Sequence, residues 1–361
     1  MLRCLLVFLL TVVVQFPAIR PSITTAPVPN DPDDPAIWVN ASDPAKSLIF
    51  ATDKMPGVGG LYVFGLDGTL TRTIAPLDRP NNVDVEYGFA VGGQRVDIAV
   101  VTERLKHRLR IYGISPDGQV RDLAPNGLAV LTGQPAPASE PMGIALYKRP
   151  RDGAIFAIVA PKTGGTANYL WQYRLAAADG AITATLVRRF GAFSQMGPVA
   201  GEIGEIEAVV VDDELGYVYY SDERYGIRKY HADPDHADAA KELAVLGLEG
   251  YQGDREGLAI YSMPNGAGYL VSSDQVAGAS RVMIYPRGGT AKGPHDQSLV
   301  AAVPTGADET DGLDVTSAPL PGFPGGLLAM MNSRPKNFLL FSWSTVATRL
   351  RGATSAPGGP R

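Results

Sequence analysis

From about residue 30 to residue 345 the chain alternates short apolar runs with polar turns, and the runs are of strand length. Their order repeats. Each group opens on acidic, amide or small residues leading into a short apolar run: DDPAIWV from Asp33, NNVDVEY from Asn81, PMGIALY from Pro141, IEAVVVD from Ile206, REGLAIY from Arg255 and TDGLDVT from Thr310. Two more apolar runs around a polar tip follow each time, such as LIFAT and GLYVFGL, then VDIAVVT and LRIYGI, AIFAIVA and YLWQYRL, YVYYSD and GIRKY, GYLVSS and RVMIY, GLLAMM and NFLLFSW. After five of the six comes a weaker fourth run, for example TLTRTIA from Thr69 or SLVAAVP from Ser298. The pairs Asp67-Gly68, Asp117-Gly118 and Asp179-Gly180 suit tight hairpins that need positive φ. Four antiparallel strands repeated six times, at a period of roughly 50 residues, predict an all-β fold: a six-bladed β-propeller of four-stranded antiparallel blades. The sixth group lacks an outer strand after Trp343, and residues 22–28 are available to supply it and close the ring.

The first strand of each blade lines the central channel, so one register on six such strands forms a ring. Alignment on the strand places Asp34, Asn81, Met142, Glu207, Glu256 and Asp311 in that register, with Asp33, Asp254 and Asp314 beside them. Carboxylates gathered without bases raise one another's pKa, and a divalent cation removes the penalty. Oxygen donors without a Cys or His cluster point to calcium. The competing reading is that each acid caps a loop or bonds backbone amides. The tips between second and third strands return to one mouth and carry Lys54 in TDKMPG, Arg104 in TERLKHR and Lys162 in APKTGG. Singly, each base suits a solvated loop; recurring at equivalent tips beside a metal, they suit phosphate groups.

The 41 Gly and 29 Pro fall between the apolar runs, as an all-β chain requires. With 37 acids against 32 bases the net charge is -5, and no basic field exists to hold nucleic acid. Met1-Leu2-Arg3 and an apolar run from Leu5 to Phe16 read as a secretory signal, too short for a comfortable membrane span. The expected division is a signal over 1–21, cleaved between Ala18 and Ala26, a propeller over 22–346 and a disordered tail over 347–361. The mature chain is then a secreted or periplasmic monomer with no stable membrane association and, since Cys4 lies in the signal, no disulfide. TGGT at Thr163 lacks the Gly-Lys-Ser/Thr end of a P-loop, and neither HExxH nor GxSxG occurs. His231 and His236 are expected to be solvated, and the prolines of NDPDDP do not fit an EF-hand loop.

In their order and spacing DDPAIWV, TDK, NNVDV, DDELG with the preceding Glu207, EGLAIY, GYLVSS and TDGLDV resemble the β-propeller phytases, calcium-dependent phosphatases acting on myo-inositol hexakisphosphate (phytate). The resemblance runs from about Asp33 to Trp343. It implies calcium or water contacts from Asp33, Asp34, Glu207, Asp254, Glu256, Asp311 and Asp314, with Glu207, Asp254, Glu256 and Asp311 at the catalytic centre. It further implies phosphate contacts from Lys54, Arg104 and Lys162, phytate bound as its calcium complex, and in-line attack by a metal-activated water without a covalent intermediate. The chain departs from the family pattern at Met55, Glu86, Met142, Arg224 and Asn332, mostly on the substrate side. Two alternatives stand beside it. A calcium-propeller lactonase or arylesterase wants a His near the metal, and His107, His231, His236 and His295 all fall off the inner-strand register; a non-catalytic binding propeller would tolerate the lost phosphate contacts.

Overall fold

The computed structural model describes residues 17–178 and 180–355. Residues 1–16, within the expected signal, Asp179 of the third hairpin and residues 356–361 lie outside them. Six antiparallel sheets follow one another in the chain, their inner strands being Pro32–Trp38, Pro80–Val91, Pro141–Lys148, Val209–Asp212, Leu258–Ser262 and Leu313–Thr316. Second, third and outer strands are added in sequence order in the first five blades, and second and third in the sixth, as expected for a six-bladed propeller. The second blade differs in one respect. Its outer position is split between Val120–Asp122 and Leu128–Ala129, both paired with Arg108–Ile114.

Apolar side chains sort into six buried clusters among the described residues, one between each pair of neighbouring blades. Phe50, Leu61 and Val63 of blade 1, for example, meet Ala99, Val101 and Tyr112 of blade 2. Each fully buried Leu, Ile or Phe contributes about 1.5–3 kcal/mol, so the core is a ring of interfaces around a polar axis.

Closure uses the N-terminal segment. Ile23–Thr24 pairs antiparallel with Asn337–Ser342, with Ile23 opposite Leu340 and Thr24 opposite Leu339. Further bonds run from Thr25 N to Phe338 O (3.0 Å) and from Val28 N to Lys336 O (2.8 Å). Gly68, at φ +79°, lies against this segment; a Cβ there would sit 2.8 Å from Thr24 O. Residues 17–21, placed with the signal by sequence, belong to the folded body: Ile19 is buried between blades 5 and 6, and its N–H donates to Pro304 O at 2.8 Å.

The tail also differs from expectation. Trp343–Ser355 is an α-helix, so the chain is ordered well past residue 346. Trp343, Val346 and Leu350 fall on one helical face and pack into the cluster between blades 5 and 6, with Trp343 stacked on Tyr261 at 4.0 Å. The low apolar content of the tail concealed a stripe of helical period. No helix among the described residues is long and apolar enough to cross a membrane.

Candidate metal and phosphate site

Strand pairing fixes the ring register. Pro35, Val83, Ile144, Val209, Leu258 and Leu313 oppose Ala51, Val101, Val159, Tyr220, Ser272 and Met330, equivalent positions of the second strands. Two residues before each lie Asp33, Asn81, Met142, Glu207, Glu256 and Asp311. The aspartate in the acidic ring is therefore Asp33, not Asp34. The doublets Asp33-Asp34 and Asn81-Asn82 left a one-residue ambiguity, and irregular pairing at Pro32/Pro35, Pro80/Val83 and Pro141/Ile144 hides the register from simple alternation.

Asp34 and Asp314 face neighbouring inner strands. Asp34 Oδ2 accepts Val83 N–H at 3.0 Å, and Asp314 accepts Ile37 N–H and Val315 N–H, each at 2.7 Å. Asp84, in the same register as Asp314, accepts Leu146 N–H at 2.6 Å. These carboxylates tie blades 6 to 1, 1 to 2 and 2 to 3. Burial pushes Asp314 up to about 7 and Asp84 up to about 8, and lifts Asp34 well above the usual carboxylate range. Asp34 lies so close to blade 6 that a Cβ on Gly312 would be 2.0 Å from its Oδ1. For Asp314 the structure thus shows backbone bonds to both oxygens.

The other ring residues meet at the mouth. Lys54 Nζ bridges Asp33 Oδ1 at 2.9 Å and Asp311 Oδ2 at 2.6 Å. Asn81 Nδ2 donates to Asp33 Oδ2 and Glu207 Oε1, both at 3.1 Å, so the amide in the acidic register links two acids. Gln275 Nε2 donates to the other oxygen of Asp311. Carboxylate oxygens of Glu205, Glu207 and Glu223 lie within 4.8 Å of one another, and the buried Oε2 of Glu256 has no hydrogen-bond partner. Burial raises Asp33 and Glu256 well above their ordinary values and raises Asp311. Glu223 is raised by burial and then by the charges of Glu207 and Asp254. Burial also acts to lower the Lys54 ammonium, but Asp33, Asp311 and Glu207 prevail and raise it.

Sequence reasoning did not single out Glu205, Glu223 or Gln275. A signal for two of them was present: the residue directly after each second strand is Lys54, Arg104, Lys162, Glu223, Gln275 and Ser333 in turn. This second ring has bases in blades 1–3 and an acid followed by neutral residues in blades 4–6. The residues just before these tips hold the loops that enter each blade. Asp53 accepts Asn30 and Asp31 N–H, Glu103 Asp78 N–H, Asp222 Ser194 N–H, Asp274 Gln252 and Gly253 N–H, and Asn332 Asp308 N–H. Blade 3 has Pro161 there instead.

Arg104 Nε is 2.8 Å from Glu140 Oε2, and Lys162 pairs with Glu205. Burial, then the nearby charge of Arg104, lowers the Lys162 pKa. Asp254 is held by Arg224, whose Nη2 donates to Oδ2 at 2.8 Å while Nε pairs with Oδ1. The mouth is thus divided. Carboxylates dominate at blades 4, 5, 6 and 1, and the bases reach in from blades 1, 2 and 3.

The sequence model of the phytase family matches residues 15–351. The chain belongs to the phytase family. It is 30% identical over 332 residues to a 3-phytase of Bacillus subtilis (strain 168), a match covering 88% of this chain and 81% of the relative. Among solved structures it is similar to a structural genomics protein of unknown function from Bacteroides thetaiotaomicron, with a TM-score of 0.47 and 10% identity over 86% of this chain and 70% of that one.

The residues at which this phytase-family chain was expected to depart from the pattern occupy different places. Glu86 is not at the mouth. It lies toward the opposite end of the channel, where it and Asp213 line a cavity of about 260 Å³. Asn332 does the loop-holding work of Asp53 and Asp274 through Oδ1. Met142 is buried in the inner ring, and its carbonyl accepts Thr102 Oγ1–H at 2.7 Å. His107, His231, His236 and His295 form no bonds to the ring acids among the described residues, and His231 stacks on His236 at 3.6 Å.

Proposed function

We propose that the protein is a secreted, calcium-dependent phytase that hydrolyses phosphate monoesters of myo-inositol hexakisphosphate. The observation that carries this reading is the divided mouth, where a buried carboxylate cluster with an unsatisfied oxygen on Glu256 faces three bases already held by acids. A buried carboxylate oxygen without a partner is costly, and an all-oxygen donor set suits a hard cation such as calcium. Glu205, Glu207, Glu223 and Glu256 fit that ion, with Asp33 and Asp311 adjoining. When bound, the ion neutralises phosphate oxygens and makes water a better nucleophile near neutral pH.

The chain's own residues supply the rest. Lys54, Arg104 and Lys162 offer N–H donors to the phosphate oxygens of the substrate, each exchanging a carboxylate for a phosphate. Exchange at Lys162 frees Glu205, which then joins Glu207 and Glu223 as an oxygen donor. An ion held there would occupy Glu256 Oε2, so the proton of the attacking water passes to the inositol oxygen that leaves. Water adds to phosphorus, the bond to the inositol oxygen breaks, that oxygen gains a proton, and inorganic phosphate leaves. No side chain becomes phosphorylated.

Phosphate release from phytate, measured with calcium and with chelator, tests the reading. Chelator is expected to abolish release and calcium to restore it, with Glu256→Gln and Glu207→Gln each lowering turnover by about 100-fold or more. Equal release in chelator, or variants as active as the unaltered chain, would refute it.

A further inference from the structure

Asp254 was expected among the metal ligands and catalytic acids, yet its carboxylate is paired with the Arg224 guanidinium, whose Nη2 donates to Oδ2 at 2.8 Å while Nε lies against Oδ1. The pair is largely covered, with Arg224 31% and Asp254 18% exposed. An Arg–carboxylate hydrogen bond is charge-assisted and this cation is permanent, since Arg does not release its proton in proteins. Both ends are anchored. Arg224 follows Glu223 at the tip of blade 4, so consecutive residues send a carboxylate into the acidic cluster and a cation toward blade 5. Asp254 forms an isolated antiparallel bridge with Gln275, whose N–H donates to Asp254 O at 2.9 Å. A Cβ on the neighbouring Gly253 would be 1.7 Å from Gln275 O, so this loop is pressed against blade 5. Gln275 in turn bonds Asp311.

We propose that Arg224 is a built-in counter-cation that withdraws Asp254 from the metal set. The divalent ions are then held by Glu205, Glu207, Glu223 and Glu256 with Asp33 and Asp311, and the arc between blades 4 and 5 needs one ion fewer than a free Asp254 would demand. Asp254 is a positioning residue for Arg224, and Arg224 keeps that side of the mouth from repelling a polyanion before any metal arrives. The inference rests on the calcium reading above.

Calcium titration of the full chain by calorimetry, with no substrate present, tests it through stoichiometry. The unaltered protein and Asp254→Asn are expected to bind the same number of calcium ions, Arg224→Gln to bind one more, and Glu207→Gln to bind fewer. Circular dichroism and melting temperature show which variants fold, and Arg224→Gln alone decides the matter if Asp254→Asn does not. Loss of one ion in Asp254→Asn, or no gain in Arg224→Gln, would overturn this inference while leaving the calcium reading intact. An unaltered protein that binds no calcium would overturn both.

Discussion

Replacing Lys54 with Met leaves shape nearly unchanged but takes the bridging cation from between Asp33 and Asp311. Lys54 Nζ is 2.9 Å from one carboxylate and 2.6 Å from the other; its side chain is 17% exposed, and that of Asp33 is 1% exposed. At an effective dielectric of about 20, each contact is worth about 6 kcal/mol of gross Coulomb attraction. Much of that offsets desolvation, which weighs on all three groups. Removing one partner of a buried ion pair typically costs about 3–5 kcal/mol, because the remaining charge stays buried and unpaired. Lys54→Met should therefore lose about that much in urea unfolding at pH 7 in chelator. Calcium should return a large part of the loss, since a divalent ion among the same carboxylates replaces the missing charge. Adding Asp33→Asn to Lys54→Met should also recover stability, giving a non-additive double-mutant cycle. A Lys54→Met protein within about 1 kcal/mol of the unaltered chain in chelator would refute the reasoning, because the two carboxylates would then have no need of the ammonium.

Two other outcomes test the axis below the mouth. Gly312→Ala should destabilise the protein by about 2 kcal/mol or more and lower its melting temperature, because the added Cβ would stand 2.0 Å from Asp34 Oδ1 and 2.6 Å from Asp34 Cα. A melting temperature unchanged within error would mean that blades 1 and 6 part without cost. Asp84, pushed up to about 8 by burial, holds a proton in the folded state that the unfolded chain releases near pH 4. Its stabilising contribution is thus lost as pH rises from about 4 through 8, at no more than 1.4 kcal/mol per pH unit and less where the axial cavity admits solvent. Asp84→Asn carries no such proton, so urea unfolding in chelator should show the variant gaining on the unaltered chain between pH 5 and pH 8; a constant difference would refute the assignment.

The architecture was readable because six groups of apolar runs repeat, and repetition averages out the ambiguity of any one short strand. Ring closure by residues 22–28 followed from counting strands. Finer features depended on single residues and on contacts across blades. Asp33 and Asp34 are chemically identical neighbours, and only the paired strands show which one stands in the ring and which one bonds Val83. The helix that ends the described chain was hidden because Trp343, Val346 and Leu350 are three apolar residues in a polar stretch, significant only once a surface is present to receive them. Lys54, Arg104 and Lys162 were found from recurrence at equivalent tips. Glu223 and Gln275 occupy the same position but break the run of bases, so a search for bases passed over them. The contact between Arg224 and Asp254 joins residues 30 apart in sequence and needs the fold to bring them together.

A propeller supplies each functional position six times, and the chemistry here arises from how the copies diverge. The last residue of the second strand stays an acid or amide in five blades, where its side chain accepts from the loop that enters the blade. One residue further on, that constraint ends, and the same position becomes Lys54, Arg104 and Lys162 on one half of the mouth and Glu223, Gln275 and Ser333 on the other. The inner ring diverges in a matching way: Asn81 and Met142 stand where a carboxylate would face the bases, while Glu207, Glu256, Asp311 and Asp33 complete the acidic half. A mouth that was acidic all round would repel a polyanion, and one that was basic all round would hold no metal. Neither ring alone gives a direction. Together they set carboxylates opposite bases across one mouth, so that a phosphate group reaching the bases is also presented to the acids.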